Sequence, residues 1–120
     1  MPFDSNHYDA DYTLIRLGTP EIEQPRVIYD DDISLLYINV PNIELDYQWG
    51  AFMQGHPLYK FVQLNPEISA DICRYHRAYS LPTVIMFHKA IEIGRVDIMP
   101  EPHILSNLVT GAVDKYRQTY

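Results

Sequence analysis

Cys73 is the single cysteine of a 120-residue chain, and His76 follows it by three positions. A lone thiol forms no internal disulfide and no Cys-x-x-Cys couple. Two residues at i and i+3 share a helix face, but they supply only two of the four ligands a zinc ion takes, and no further His or Cys stands at ligand spacing. The chemistry left to Cys73 is that of a single nucleophilic or redox-sensing thiol. A mid-helix thiol gains nothing from the positive helix start that lowers a thiol pKa, so Cys73 is expected to fill a small apolar position. No metal and no cofactor are expected.

The other titratable candidates are equally sparse. The five histidines, His7, His56, His76, His88 and His103, are dispersed, and none stands next to a serine or a second titratable group in a catalytic spacing. They are expected to be structural or surface residues, with His88 on the surface at a strand end. Glu44 and Asp46 are the remaining carboxylate pair that could exchange protons. At i and i+2 on a helix they point in different directions, and both suit the positive end of the helix dipole.

These residues must be positioned by a modest scaffold. With 47% hydrophobic residues in 120, the chain is long enough for one core and too short for two. Sixteen acids against nine bases leave a net charge of -7. With no run of Lys or Arg, that balance disfavours phosphate backbones and anionic lipid as partners. The start, MPFDSNH, has neither a basic nor an apolar signal region, and no stretch nears the ~18 apolar residues of a spanning helix. Together with the lone cysteine, this predicts a cytoplasmic protein with neither nucleic acid nor membrane among its partners.

Along the chain, residues 1–11 read as a loosely ordered arm and 12–120 as a single domain. Residues 12–17 (YTLIRL) suggest a first strand, and Pro25 limits any helix opening at Pro20 to about a turn. Residues 35–40 (LLYINV) form an apolar run bounded by Pro41, the pattern of a buried central strand. Asn42 can cap a helix that Gly55 closes, with Leu45, Trp49, Phe52 and Met53 on one face toward the sheet. Trp49 belongs to the core, while Pro41, Ile43 and Tyr47 lie on a rim. Residues 59–64 alternate as a strand, 68–79 have helical spacing, and 83–87 (TVIMF) make the most hydrophobic strand. Ile91, Ile93, Val96 and Ile98 suggest a further strand interrupted at Gly94. A closing helix over 102–116 carries Ile104, Leu105, Leu108, Val109 and Val113.

The segment 80–89 (SLPTVIMFHK) resembles the apolar-Pro-Thr-strand-Phe-Lys segment of the thioredoxin family. Residues 59–65 (YKFVQLN) are similar to that family's third strand. Ile72, Cys73, His76 and Ala78 fall where its helix residues face the sheet, and the spacing from Pro82 to Leu105 and Leu108 matches its closing helix. The resemblance covers about residues 59–118 and extends to the strand at 35–40. It implies an α/β fold, a thioredoxin-like three-layer sandwich with a central mixed sheet of four to five strands flanked by helices. It also implies a cis peptide bond before Pro82 and, beside it, a groove where extended peptides pair with the backbone edge at Leu81.

Where this sequence departs from the family, the changes share a direction. The Trp-Cys-x-x-Cys motif corresponds to residues 40–46 (VPNIELD), which hold no thiol. The family's buried acid maps to Tyr37, and its groove glycine to Ile98. The resemblance with these losses implies a redox-inactive protein-binding adaptor or chaperone-like module and no catalytic residues. Its groove would be formed by Pro41, Asn42, Ile43, Glu44, Leu81, Pro82 and Ile98, and its partner is a protein or a peptide segment. Two other readings stay open: a divergent thiol-disulfide oxidoreductase or glutathione-binding protein, and a structural subunit of a homodimer or larger assembly.

Overall fold

The computed structural model describes residues 32–119. The arm at 1–11, the strand at 12–17 and the turn near Pro20 lie outside the described residues. Four strands, β1 (Ile33–Ile38), β2 (Lys60–Leu64), β3 (Thr83–His88) and β4 (Ile91–Val96), alternate with three helices, α1 (Ile43–Gln54), α2 (Ala70–Tyr75) and α3 (Pro102–Thr119). The sheet order is β2-β1-β3-β4. β1 runs parallel to β2 and antiparallel to β3, and β4 is antiparallel to β3, so the sheet is mixed.

Every residue of β1 and β3 is buried, because both faces of these central strands are covered. Side chains alternate across a strand. Leu35, Tyr37, Val84 and Met86 pack with Trp49 and Phe52 of α1 and with Leu105, Val109 and Tyr116 of α3. Leu36, Ile38, Ile85 and Phe87 face the other way and meet Val62, Leu64 and Cys73. Two-sided burial explains why these strands read as unbroken apolar runs rather than alternating ones. The described residues therefore form the α/β layered sandwich expected from the sequence, with α1 and α3 on one face of a four-stranded sheet and α2 on the other.

Several boundaries move for physical reasons. β1 starts at Ile33 and stops at Ile38: Ile33 and Ser34 pair with His88 and Phe87, and beyond Ile38 the Asn39 N–H donates to the Leu64 carbonyl at 3.1 Å as the chain turns away. The helix expected over 68–79 is reduced to α2, because His76 ends it and Arg77 takes a left-handed φ of 57°. The arrangement is held from outside, since the Arg95 guanidinium donates to the His76 carbonyl at 2.8 Å.

Gly94 does not interrupt β4. It lies opposite Met86, and a Cβ there would sit 3.2 Å from the Ala112 Cβ, so the glycine lets α3 approach the strand closely. The irregularity is one step away, where the register between β3 and β4 shifts at Met86 and Phe87. Ile98 lies beyond the end of the strand. α3 runs on to Thr119.

At about 100° per residue, Met53 sits at the margin of the stripe made by Leu45, Trp49 and Phe52, and it is exposed. Ile104 and Leu108 are likewise off the line through Leu105 and Val109, and both are exposed.

Candidate functional site

Strand register decides which loops meet. Ile38 pairs with Leu64 and with Thr83, and Val84 pairs with Val96. The carboxyl ends of β1, β2 and β4 and the amino end of β3 therefore lie at one end of the sheet. This places the loop 39–42, the Leu81–Pro82 step and Ile98 together, with the start of α1 among them. The Leu81–Pro82 peptide bond is cis.

The start of α1 is tied down by three hydrogen bonds. The Asn42 side chain accepts from the Leu45 N–H at 2.9 Å, as an N-cap should. Asp46 reaches back, its Oδ2 accepting from the Asn42 N–H at 3.2 Å. Its other oxygen accepts from the Tyr37 hydroxyl at 2.8 Å. Asp46 thus does more than offset the helix dipole, since it links a fully buried strand residue to the helix start. Burial, with the Asp46 carboxylate adding to it, pushes the Tyr37 phenol up to about 12, against a hydrogen bond from Asn39 that lowers it.

The candidate residues around this frame are outward-facing. Ile43 is 91% exposed, Leu81 43% and Ile98 59%, with Tyr47 beside them on α1 at 78%. Pro41, Asn42 and Glu44 are exposed, and Pro82 is half-buried. An isolated exposed apolar side chain is ordinary, but several on adjoining loops form a surface with a reason to be covered.

The chain's thiol is elsewhere. Cys73 is buried in the sheet's second face among Leu36, Val62 and Phe87, and burial pushes its thiol pKa up, which favours the protonated and unreactive form. Among the described residues, no group of three or more His, Cys, Asp and Glu side chains is placed to hold a metal ion.

Two histidines differ from the sequence reading. His88 is buried rather than on the surface. Its Nε2 lies 3.6 Å from the Asp32 carboxylate and its ring 5.1 Å from that of Tyr116. Burial pushes its pKa down, with Asp32 pulling the other way. His56, with no serine near it in sequence, meets Ser106 in space, its Nε2 2.7 Å from the hydroxyl oxygen. The ring stacks on Tyr59 at 4.6 Å and lies 4.5 Å from Phe52, so the pair ties the end of α1 to α3. Sequence spacing could not show this contact, which spans fifty residues.

No protein-family model matches the chain, and no curated protein does. Solved structures do. Thioredoxin-2 of a malaria parasite superposes with a TM-score of 0.61 at 14% identity, covering 66% of this chain and 82% of its own. Mitochondrial thioredoxin 3 of Saccharomyces cerevisiae gives 0.58 at 18%, covering 67% and 78%. Thioredoxin of Trypanosoma brucei brucei gives 0.60 at 14%, covering 79% and 98%. These likenesses define the class, and the chain has the thioredoxin fold. At such identities the likeness extends to the fold alone. Among the described residues no helix is long and apolar enough to cross a membrane.

Proposed function

We infer that this thioredoxin-fold protein is a protein-binding adaptor or chaperone-like module, redox-inactive, that takes a protein or peptide segment at the sheet end formed by Pro41, Asn42, Ile43, Glu44, Leu81, Pro82 and Ile98. The observation that carries this reading is the exposure of Ile43 at the start of α1 and of Leu81 and Ile98 on two loops, segments whose neighbouring strand ends share one end of the sheet. Exposed apolar side chains on adjoining loops are what a partner covers. Dithiol exchange needs two thiols, and the one this chain has is buried on the other side of the sheet's core from α1.

The test compares wild type with Ile43→Asp and Ile98→Asp. A photo-crosslinking residue at position 81 should label a discrete partner in host extract, and both variants should abolish that adduct. Label placed at Asp114, on the exposed side of α3, should give none of it. Insulin reduction by dithiothreitol should run at the uncatalysed rate. Adducts unchanged in both variants, or turnover that disappears in Cys73→Ser, would remove this reading.

A further inference from the structure

The segments that reach the proposed binding end are 39–47, 65–69, 79–82 and 97–101, each following or preceding a strand end fixed by the register above. Their charged residues are Glu44, Asp46, Glu67, Asp97 and Glu101, and they contain no Lys or Arg. Their exposed apolar residues include Ile43, Tyr47, Ile68, Leu81 and Ile98. The first bases outside these segments are Arg77, Arg95 and Arg74, the last of which pairs with Asp71. The Arg95 guanidinium is held by Glu92 at 2.8 Å and by the carbonyls of His76 and Arg77.

The opposite end is different. Lys60 and Lys89 lie at the amino end of β2 and just past β3, and Lys115 and Arg117 flank Tyr116, whose ring touches His88 there, with the acids Asp32, Glu92 and Asp114 among them. The segments that carry the exposed apolar side chains of the binding end therefore contain acids and no bases, whereas the opposite end mixes both signs.

We propose that the segment this end accepts is apolar with flanking Lys or Arg, belonging to another protein. This rests on the binding site inferred above and adds the chemistry of its partner. Apolar contact supplies the affinity. Opposite charges across the rim select the partner and speed its encounter, while like charges in a wrong partner are repelled. The first 31 residues of the chain carry seven acids and two bases, so taken as a whole they would be repelled by acids at this end.

The probes are three fluorescent peptides of alternating Val and Thr, identical except that their flanks are Lys, Ser or Glu. At low salt the order of affinity should be Lys, then Ser, then Glu. The gap from Lys to Glu should reach about 10-fold or more and shrink as salt shortens the screening length. Ile43→Ser should weaken all three peptides, and Glu44→Lys combined with Asp97→Lys should invert the order, with an unchanged melting profile confirming the fold. Equal binding of the Lys and Ser peptides would overturn the partner chemistry while leaving the site intact. Failure of every peptide, with adducts at position 81 unaffected by Ile43→Asp, would overturn the site as well. Self-association seen by light scattering and lost in Ile43→Ser would make the occupant a second copy and overturn the proposal.

Discussion

The Tyr37 hydroxyl donates to the Asp46 carboxylate across 2.8 Å, so a residue from the middle of the sheet holds the first turn of the helix beside the candidate site. Tyr37→Phe keeps the ring against Trp49 and deletes this bond together with the longer one, 3.4 Å, that the hydroxyl accepts from Asn39. A hydrogen bond to a charged group contributes about 1.5–3 kcal/mol, and urea unfolding should register a loss in that range. The phenol's pKa is raised in the folded state to about 12. Its stabilisation is thus complete below pH ~10, the unfolded value, and is lost as pH rises toward 12. Absorbance titration of tyrosinate should show a late component that Tyr37→Phe removes.

Cys73 should behave as a core atom rather than a nucleophile. A thiol-specific disulfide reagent should react at a rate limited by opening of the native structure and become fast in urea. Cys73→Ala should destabilise by about 1 kcal/mol, and Cys73→Ser by more, because a hydroxyl enters an apolar cluster. Rapid labelling of the native protein would contradict the buried placement.

Gly94 and Ala112 make a close pair whose coupling is measurable. Gly94→Ala should destabilise by about 1–2 kcal/mol through overpacking against Ala112. Ala112→Gly costs about 1 kcal/mol alone for its helix propensity. The double variant should be more stable than the two losses summed. Simple additivity in denaturant unfolding would count against the contact.

His76 is held to a pKa of about 4 by burial first and by Arg95 second, with Glu92 opposing, and His88 is pushed in the same direction. Both pKa values are depressed, so the folded state prefers the neutral rings. That preference is fully expressed above the unfolded histidine pKa of ~6.5 and is lost as pH falls toward 4. Proton NMR of the imidazole C–H signals should find His76 still neutral at pH 5.5. His76→Leu should reduce the drop in stability between pH 6.5 and 5.

The sequence carried the sheet because its signals were local or strongly patterned. Residues 84–87 are apolar at every position since both faces of β3 are covered, and Asn42 caps α1 through a bond to a residue three positions away. What it hid was decided at long range. His88 is buried because α3 brings Tyr116 over it, and His56 meets Ser106 through the packing of α1 against α3. The short α2 was hidden differently, since residues 68–79 have acceptable helix spacing and the stop comes from backbone geometry at Arg77. The candidate site was legible mainly as a set of departures from the thioredoxin pattern. The Tyr37 to Asp46 bond within it required the fold, because a strand residue and a helix residue nine positions apart have no shared periodicity.

The double burial of β1 and β3 sets where this chain can change. Nine of the twelve positions in these strands hold buried apolar or aromatic side chains, Ser34, Thr83 and His88 being the exceptions, whereas Ile43, Leu81 and Ile98 at one end of the sheet are exposed. Substitutions at these exposed positions, away from Asn42 and Asp46, should leave folding nearly untouched, so recognition can diverge without loss of the scaffold. The same separation makes those positions a place where new binding specificities can be grafted by design.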